Sequence, residues 1–472
     1  MSLAIHWFRR DLRLNDNTAL NAAIATHQEV LPVYVISAWK EKHRWTGAPR
    51  QQFLVECLRS LDKTLLQAGS RLVIRQGNAV SALLKLVEET GAKAVYTNRD
   101  PDPFGQAVEM ELEKALKQVG AAFYPCKDHA LHERDEVLTG SGSAFRVFTP
   151  YSRAWAKLAK PKAGAHVTRI QTPATVDSLP LPTLATWRLQ PEDVHLPEAG
   201  EAAAQERLRK FVASGFLKYA QTRDLPAAEG TSRISQDLRF GLLSIRNVHA
   251  ALETAARGAN TEQARSAQVF INELCWREFY FQVLWNKPEV LELEYSPAYR
   301  GLPWSTDTVA FERWCRGQTG FPIVDAGMRQ LFHTGFMHNR VRMIVAMFLT
   351  KDLHLDWRMG EQWFMQRLLD GEIASNNGGW QWSAGTGTDA APYFRIQNPW
   401  TQSLRFDAEG AYIKKWVPEL EKVPAALLHK APAPGLRLVP EYPLPMVDHG
   451  RERDIALATY KLHLGSSAKT GD

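Results

Sequence analysis

The feature that most limits what this chain can become is a change of hydrophobic period along its length. Up to about residue 130, short apolar runs alternate with amphipathic stretches; from about residue 200, apolar residues recur at helical spacing almost throughout. Residues 3–8, 31–36, 71–75 and 94–97, rich in Val, Ile and Tyr, read as strands, with residues 51–67 and 79–90 as helices between them. Such alternation implies an α/β domain with a mostly parallel, Rossmann-like sheet. Gly69 and Gly91 stand where the helices should stop. A sheet of this kind can host a nucleotide-like ligand at its strand C-termini. With neither GxGxxG nor a P-loop present, the fold alone names no chemistry.

The stretch from about 160 to 200 is rich in Pro, Thr and Ala and reads as a surface connector. Beyond it, residues 264–285 and 321–348 carry the clearest helical patterns. The expected organisation is an α/β domain over residues 1–130, a connector over 131–200 and a larger all-α domain over 201–472.

Bulk properties exclude several classes. No apolar run reaches the about 18 residues a membrane-spanning helix needs, and the first residues lack the marks of a secretion signal. An intracellular, cytoplasmic protein is expected. Cys57, Cys126, Cys275 and Cys315 are scattered without CxxC spacing, which argues against a metal site or a disulfide framework. The net charge of +6 is compatible with a polyanionic partner but does not establish one. Fifteen tryptophans are a more unusual burden and call for a reason.

The densest chemistry lies in Asp370-Gly371-Glu372-Ile373-Ala374-Ser375-Asn376-Asn377-Gly378-Gly379-Trp380-Gln381-Trp382. Two Asn, two Gly and two Trp make a poor helix and a poor strand, so a bend is expected. It could bring backbone and amides against a flat ligand, or simply plug the core with indoles. Upstream, the hydroxyls and the arginine of Thr231-Ser232-Arg233-Ile234-Ser235 could bind a phosphate, or Thr231 or Ser232 could be an ordinary helix N-cap. Residues 272–280 are helical by period, placing Glu273, Trp276 and Arg277 on one face, either as a solvated ion pair or as the lining of a cleft. In Met337-His338-Asn339-Arg340-Val341-Arg342-Met343, residues Asn339, Arg342 and Met343 share a face from which Arg340 turns away.

Together these motifs resemble the DNA photolyase and cryptochrome family across essentially the whole chain, most closely its class I cyclobutane pyrimidine dimer (deoxyribodipyrimidine) photolyases. Trp7-Phe8-Arg9-Arg10-Asp11-Leu12-Arg13-Leu14-Asn15-Asp16-Asn17 looks like the family's opening signature. Residues 231–235 look like its FAD phosphate-binding turn, and residues 272–280, 335–343 and 370–382 match in order and spacing. The resemblance implies an FAD inside the helical domain, with Tyr219, Thr231, Ser232, Arg233 and Ser235 holding its phosphates and nearby ribityl oxygens. Asn339, Arg342, Asp370, Glu372 and Asn376 would surround the rings, Arg342 and Asp370 as a pair. Asn376 matches the position facing flavin N5, where an amide can donate and accept but offers no acidic proton. Glu372 departs from the Asp usual in the family, and its extra methylene re-spaces one contact. Trp380, Trp357 and Trp304 match the family's electron-transfer chain; by themselves, three scattered tryptophans are core or rim packing.

The same resemblance implies light-driven repair of cyclobutane pyrimidine dimers in DNA by electron transfer from excited FADH⁻ to a flipped dimer. Trp276 and Trp382 would supply stacking faces and Glu273 a carboxyl for a pyrimidine carbonyl. Asn339 and Met343 occupy the positions at which the six-four relatives carry histidines, and His338 points off that face. Arg223, Arg340 and Arg395 would contact DNA phosphates, with the protein acting as a monomer. A second, light-harvesting chromophore of deazaflavin, folate or flavin type is expected near residues 98–105, Trp39 and Arg50. The rival reading is a cryptochrome-like blue-light photoreceptor without repair.

Overall fold

The computed structural model describes residues 2–37, 43–390 and 392–467; Trp39 lies outside them. The chain divides into two compact units, one built from Met1–Glu192, Leu196–Ala220 and Ser232–Asn286, the other from Asp193–His195, Gln221–Thr231 and Lys287–Asp472.

In the first unit, β1 (Leu3–Phe8), β2 (Glu29–Ser37), β3 (Val73–Gly77), β4 (Ala94–Asn98) and β5 (Ala122–Cys126) form one sheet in the order β3-β2-β1-β4-β5. Every neighbouring pair is parallel, with Leu3 opposite Glu29 and Ala4 opposite Ala94. The strand order reverses between β1 and β4, the doubly wound arrangement that alternating strands and helices imply. β1 is buried along its whole length, as befits a central parallel strand. β5 escaped the sequence reading. Its Ala-Phe-Tyr-Pro-Cys is short, contains a proline and lies at the sheet edge. The helix Ala79–Thr90 matches its expected bounds and ends on Gly91 at φ 68°, and the expected 51–67 helix runs from Ala48–Gln67.

The opening motif closes this unit. The Arg13 guanidinium is buried and donates to Asp128 at 2.7 Å and to the Gly241 carbonyl at 3.0 Å. Arg246 reaches the same carboxylate at 2.7 Å and Asp16 at 3.0 Å. Desolvation works to raise the Asp128 pKa, but the two guanidiniums outweigh it and hold the carboxyl well below its usual range. Gly241 has a φ of 62°, and a Cβ there would lie 1.8 Å from the Arg10 carbonyl oxygen, so only glycine fits.

The core of the second unit gathers Trp314, Trp357 and Trp380 with residues of the helices Pro322–Thr334, Asn339–Met347, Trp357–Arg367 and Ile373–Ala384. The period over 321–348 had suggested one continuous helix. It is broken at Gly335, whose φ of 61° ends the first helix in the left-handed region. Among the described residues, no helix is long and apolar enough to cross a membrane, and no cluster of His, Cys, Asp or Glu is placed to hold a metal.

Candidate functional site

Residues 370–382 are not a bend. Ile373–Ala384 is a helix, closed by Gly385 at φ 77°. Composition misled because the helix is held from outside. The Asn377 amide donates to the Val290 carbonyl (2.9 Å) and to Glu361 Oε1 (3.1 Å). The Gln381 amide donates to the carbonyls of Val290 (2.9 Å) and Leu293 (3.1 Å), and its oxygen accepts from Tyr295 N (2.7 Å). Trp380 is buried at 2 % exposure. Two positions on, Trp382 falls on the opposite side of the helix and is half-buried.

One turn earlier, Asn376 Nδ2 donates to the Glu361 carbonyl at 3.0 Å, which engages one of its two N–H groups and fixes the side of the amide that carries Oδ1. Asp370, just before the helix, pairs with Arg342 at 2.8 Å, as the resemblance implied. Arg342 is further fixed by its Nε bond to the Met337 carbonyl at 2.8 Å. The other Asp370 oxygen, Oδ1, is buried and without a hydrogen-bond partner among the described residues. A buried carboxylate oxygen with nothing to accept from is costly, so it marks a place for a donor that is not a protein group. A ligand rich in ring N–H and hydroxyl donors, such as FAD, fits it. Glu372 is buried beside it as the N-cap residue of the helix.

Asn339 is exposed at the start of its helix. The helix is capped by His338, whose Nδ1 accepts from Arg340 N at 3.2 Å, so its proton resides on Nε2. Burial pushes this imidazole down to about 4. Arg340 does not simply turn away. Its Nη1 lies 3.4 Å from Met343 Sδ, and its Nη2 pairs with Asp224 at 2.8 Å. Arg223 lies 3.9 Å from the same carboxylate. Arg395 is exposed.

The remaining tryptophans of the expected chain differ in depth. Trp357 is fully buried and Trp304 half-buried. Both indole N–H groups point to one atom, Glu294 Oε1, each at 3.3 Å. Glu294 was missed in the sequence, where Leu291-Glu292-Leu293-Glu294 looks like any surface acid; here it is 2 % exposed.

The first unit carries the other candidates. Tyr219 is buried, edge-on to Phe270 at 4.9 Å. Thr231, which belongs to the second unit, and Ser232 are half-buried, while Arg233 and Ser235 are exposed. Neither Thr231 nor Ser232 caps a helix: the short helix Ser235–Phe240 has Ile234 at its N-cap without a side-chain bond. Arg233 instead takes a φ of 53°, a left-handed conformation that costs roughly 1–2 kcal/mol for a non-glycine residue. On the helix Thr261–Asn286, Glu273 is half-buried, and Arg277 donates to the His129 carbonyl at 2.6 Å. Trp276 is stacked on Phe148 at 3.6 Å and 7°, so one of its faces is already covered.

Comparison with known proteins places these observations. Residues 4–174 match the family model described as DNA photolyase, and residues 270–462 that described as the FAD binding domain of DNA photolyase. The chain is 40 % identical to a deoxyribodipyrimidine photo-lyase of Agrobacterium fabrum, over 97 % of each chain. It is similar to the crystal structure of a bacterial class III photolyase from Agrobacterium tumefaciens, with a TM-score of 0.91, 38 % identity and 98 % of each chain covered. It is also similar to a Synechocystis cryptochrome, with a TM-score of 0.88 and 28 % identity over 97 % of this chain and 99 % of the other.

Proposed function

Because the chain belongs to the DNA photolyase and cryptochrome family, we propose that it uses light to split cyclobutane pyrimidine dimers in DNA. It is a flavoprotein enzyme with FAD as its cofactor. The observation that carries the reading is the fixed Arg342–Asp370 pair with its unsatisfied carboxylate oxygen, six positions before Asn376, whose amide is oriented by its bond to the Glu361 carbonyl.

When bound, FAD supplies light absorption and one-electron transfer. The protein's part is to hold and to recognise. Asp370, Arg342, Glu372, Asn376 and Asn339 hold the rings and ribityl chain. Tyr219, Thr231, Ser232, Arg233 and Ser235 hold the phosphates, the strained Arg233 backbone being the kind of conformation that binding sites retain. Trp382 and Trp276 offer stacking to extruded bases, worth roughly 1–3 kcal/mol each. Glu273 hydrogen-bonds a pyrimidine carbonyl and stabilises the charge that develops there. Met343 and Asn339 provide no titratable group, so histidine-based proton transfer is not part of the substrate chemistry. Arg223, Arg340 and Arg395 meet DNA phosphates, the first two by exchanging Asp224 for phosphate. Trp380, Trp357 and Trp304 relay electrons to the flavin. We assign residues 1–130 to a light-harvesting chromophore and 201–472 to FAD and DNA, with 131–200 joining them.

The test is illumination of the flavin-reduced protein with a thymine-dimer oligonucleotide, following the return of pyrimidine absorbance, beside a dark control and Glu273→Ala. Light-dependent recovery is expected, lowered roughly tenfold or more in the variant. Bound flavin with no dimer split would overturn repair in favour of a cryptochrome-like photoreceptor.

A further inference from the structure

Among the described residues, Glu294 is the buried carboxylate that touches two of the three tryptophans, and the touching atoms are the indole N–H groups themselves. Its Oε1 accepts from Trp304 and Trp357, each at 3.3 Å, and from Arg358 Nη2 at 3.0 Å. The Arg358 guanidinium is shared with Asp356, also at 3.0 Å, so two carboxylates face one cation. Arg300 donates to the Glu294 backbone carbonyl at 3.2 Å, and its Nη2 lies 3.9 Å from Glu289. Arg358 also lies over the Trp357 ring at 4.6 Å, so the pull of the carboxylate is opposed at Trp357 and least opposed at Trp304. Trp380 contrasts with the outer pair: its buried indole N–H has no hydrogen-bond partner among the described residues. It packs edge-on to Phe364 at 5.0 Å and Trp314 at 6.1 Å, neither of which carries a charge.

We propose that Glu294 sets the direction of electron flow along the tryptophan chain by stabilising the electron-deficient state of Trp304 relative to Trp380. The inference rests on the relay role given to these tryptophans above. One electron passes from Trp380 to the light-excited oxidised flavin, which is thereby reduced. One electron then moves from Trp357 to Trp380, and one from Trp304 to Trp357, leaving the deficit on Trp304. No bond between heavy atoms is broken, and the electrons balance as one transferred at each step. A carboxylate within van der Waals reach of an indole that has lost an electron attracts it strongly in a buried setting, where water screens little. At Trp380 no such anion is in contact. Hydrogen bonds to a charged acceptor also strengthen when the donor gains positive charge. Glu294 is thus a positioning and charge-stabilising residue.

The holoprotein with oxidised flavin is excited by a laser flash, with a thiol in solution to refill Trp304, and the tryptophan radical absorbance is followed. Glu294→Gln keeps an oxygen acceptor for both indoles but removes the charge. Initial quenching of the excited flavin, set by Trp380, should be unchanged, while the long-lived radical decays on the order of tenfold faster. Glu294→Asp, which keeps the charge, should recover most of the lifetime. The ¹⁵N–¹H indole resonances of Trp304 and Trp357 should stay in hydrogen-bonded positions in both variants, separating a charge effect from a packing effect. A wild-type lifetime in Glu294→Gln, with the lifetime cut by Trp304→Phe, would overturn the role of Glu294 and leave the relay standing. Equal loss in the Gln and Asp variants would also overturn it. If Trp304→Phe and Trp357→Phe both leave photoreduction intact, the relay itself fails and this inference with it.

Discussion

Gly360 decides where Trp380 can lie. A Cβ at this position would come 2.0 Å from the indole Cη2 and 2.5 Å from Cζ3. The ring thus rests directly on the backbone of the helix Trp357–Arg367. Gly360→Ala would gain helix propensity, about 1 kcal/mol, and still lose, because overpacking a filled core typically costs 1–3 kcal/mol. The expected outcome is a protein that binds FAD but photoreduces it several-fold more slowly, measured by the light-driven loss of oxidised-flavin absorbance. Unchanged photoreduction would mean that the indole position does not matter. Legibility at this scale was uneven. The tryptophans, Arg342, Asp370 and Asn376 were found by resemblance to a family pattern, whereas Gly360 and Glu294 act through spatial neighbours that no local spacing announces.

At the scale of elements, the helix Ile373–Ala384 shows why composition failed where period succeeded. Two glycines and two asparagines oppose it by roughly 0.5–1 kcal/mol each. Two amide side chains tie it to residues 290–295, and a buried indole anchors it. The tie yields a test that separates propensity from tertiary support. Gln381→Leu introduces a better helix former yet strands the Leu293 carbonyl and the Tyr295 N–H, while the Val290 carbonyl keeps its bond from Asn377. Each group left buried without a partner costs roughly 1–3 kcal/mol. A lowered thermal midpoint is expected; a neutral or raised one would show that propensity governs this helix. The α/β alternation and its parallel sheet were legible because strand and helix periods differ so clearly there. β5 and the break at Gly335 were not, since a short edge strand and a single left-handed residue leave little periodic trace.

For the whole molecule, three buried histidines weaken the fold in acid, opposed by Asp102, whose carboxyl is pushed up to about 7 by burial and the neighbouring Asp100. Burial pushes His129, His132 and His338 each down to about 4, against an ordinary value near 6.5. Between those limits the unfolded chain binds protons that the folded chain refuses, so stability rises with pH across the window. Their contribution is complete above about 6.5 and is lost as pH falls towards 4. Lys351, pushed down by burial to about 7, acts in the same sense at higher pH. Melting temperatures at constant salt should therefore fall steadily from pH 6.5 to pH 4.5, and a flat profile would refute the assignment. The charged closure around Arg13 has a consequence of another kind, for synthesis. Its partners Gly241 and Arg246 lie more than 220 positions later in the chain. At roughly 5–20 residues per second, a ribosome needs about 10–50 s to deliver them after Arg13 has been made. All five strands are in place by Cys126, yet the nascent sheet must wait, its arginine still hydrated, for a segment encoded in the middle of the message. An interrupted translation product ending before residue 232 would carry the sheet without its seal.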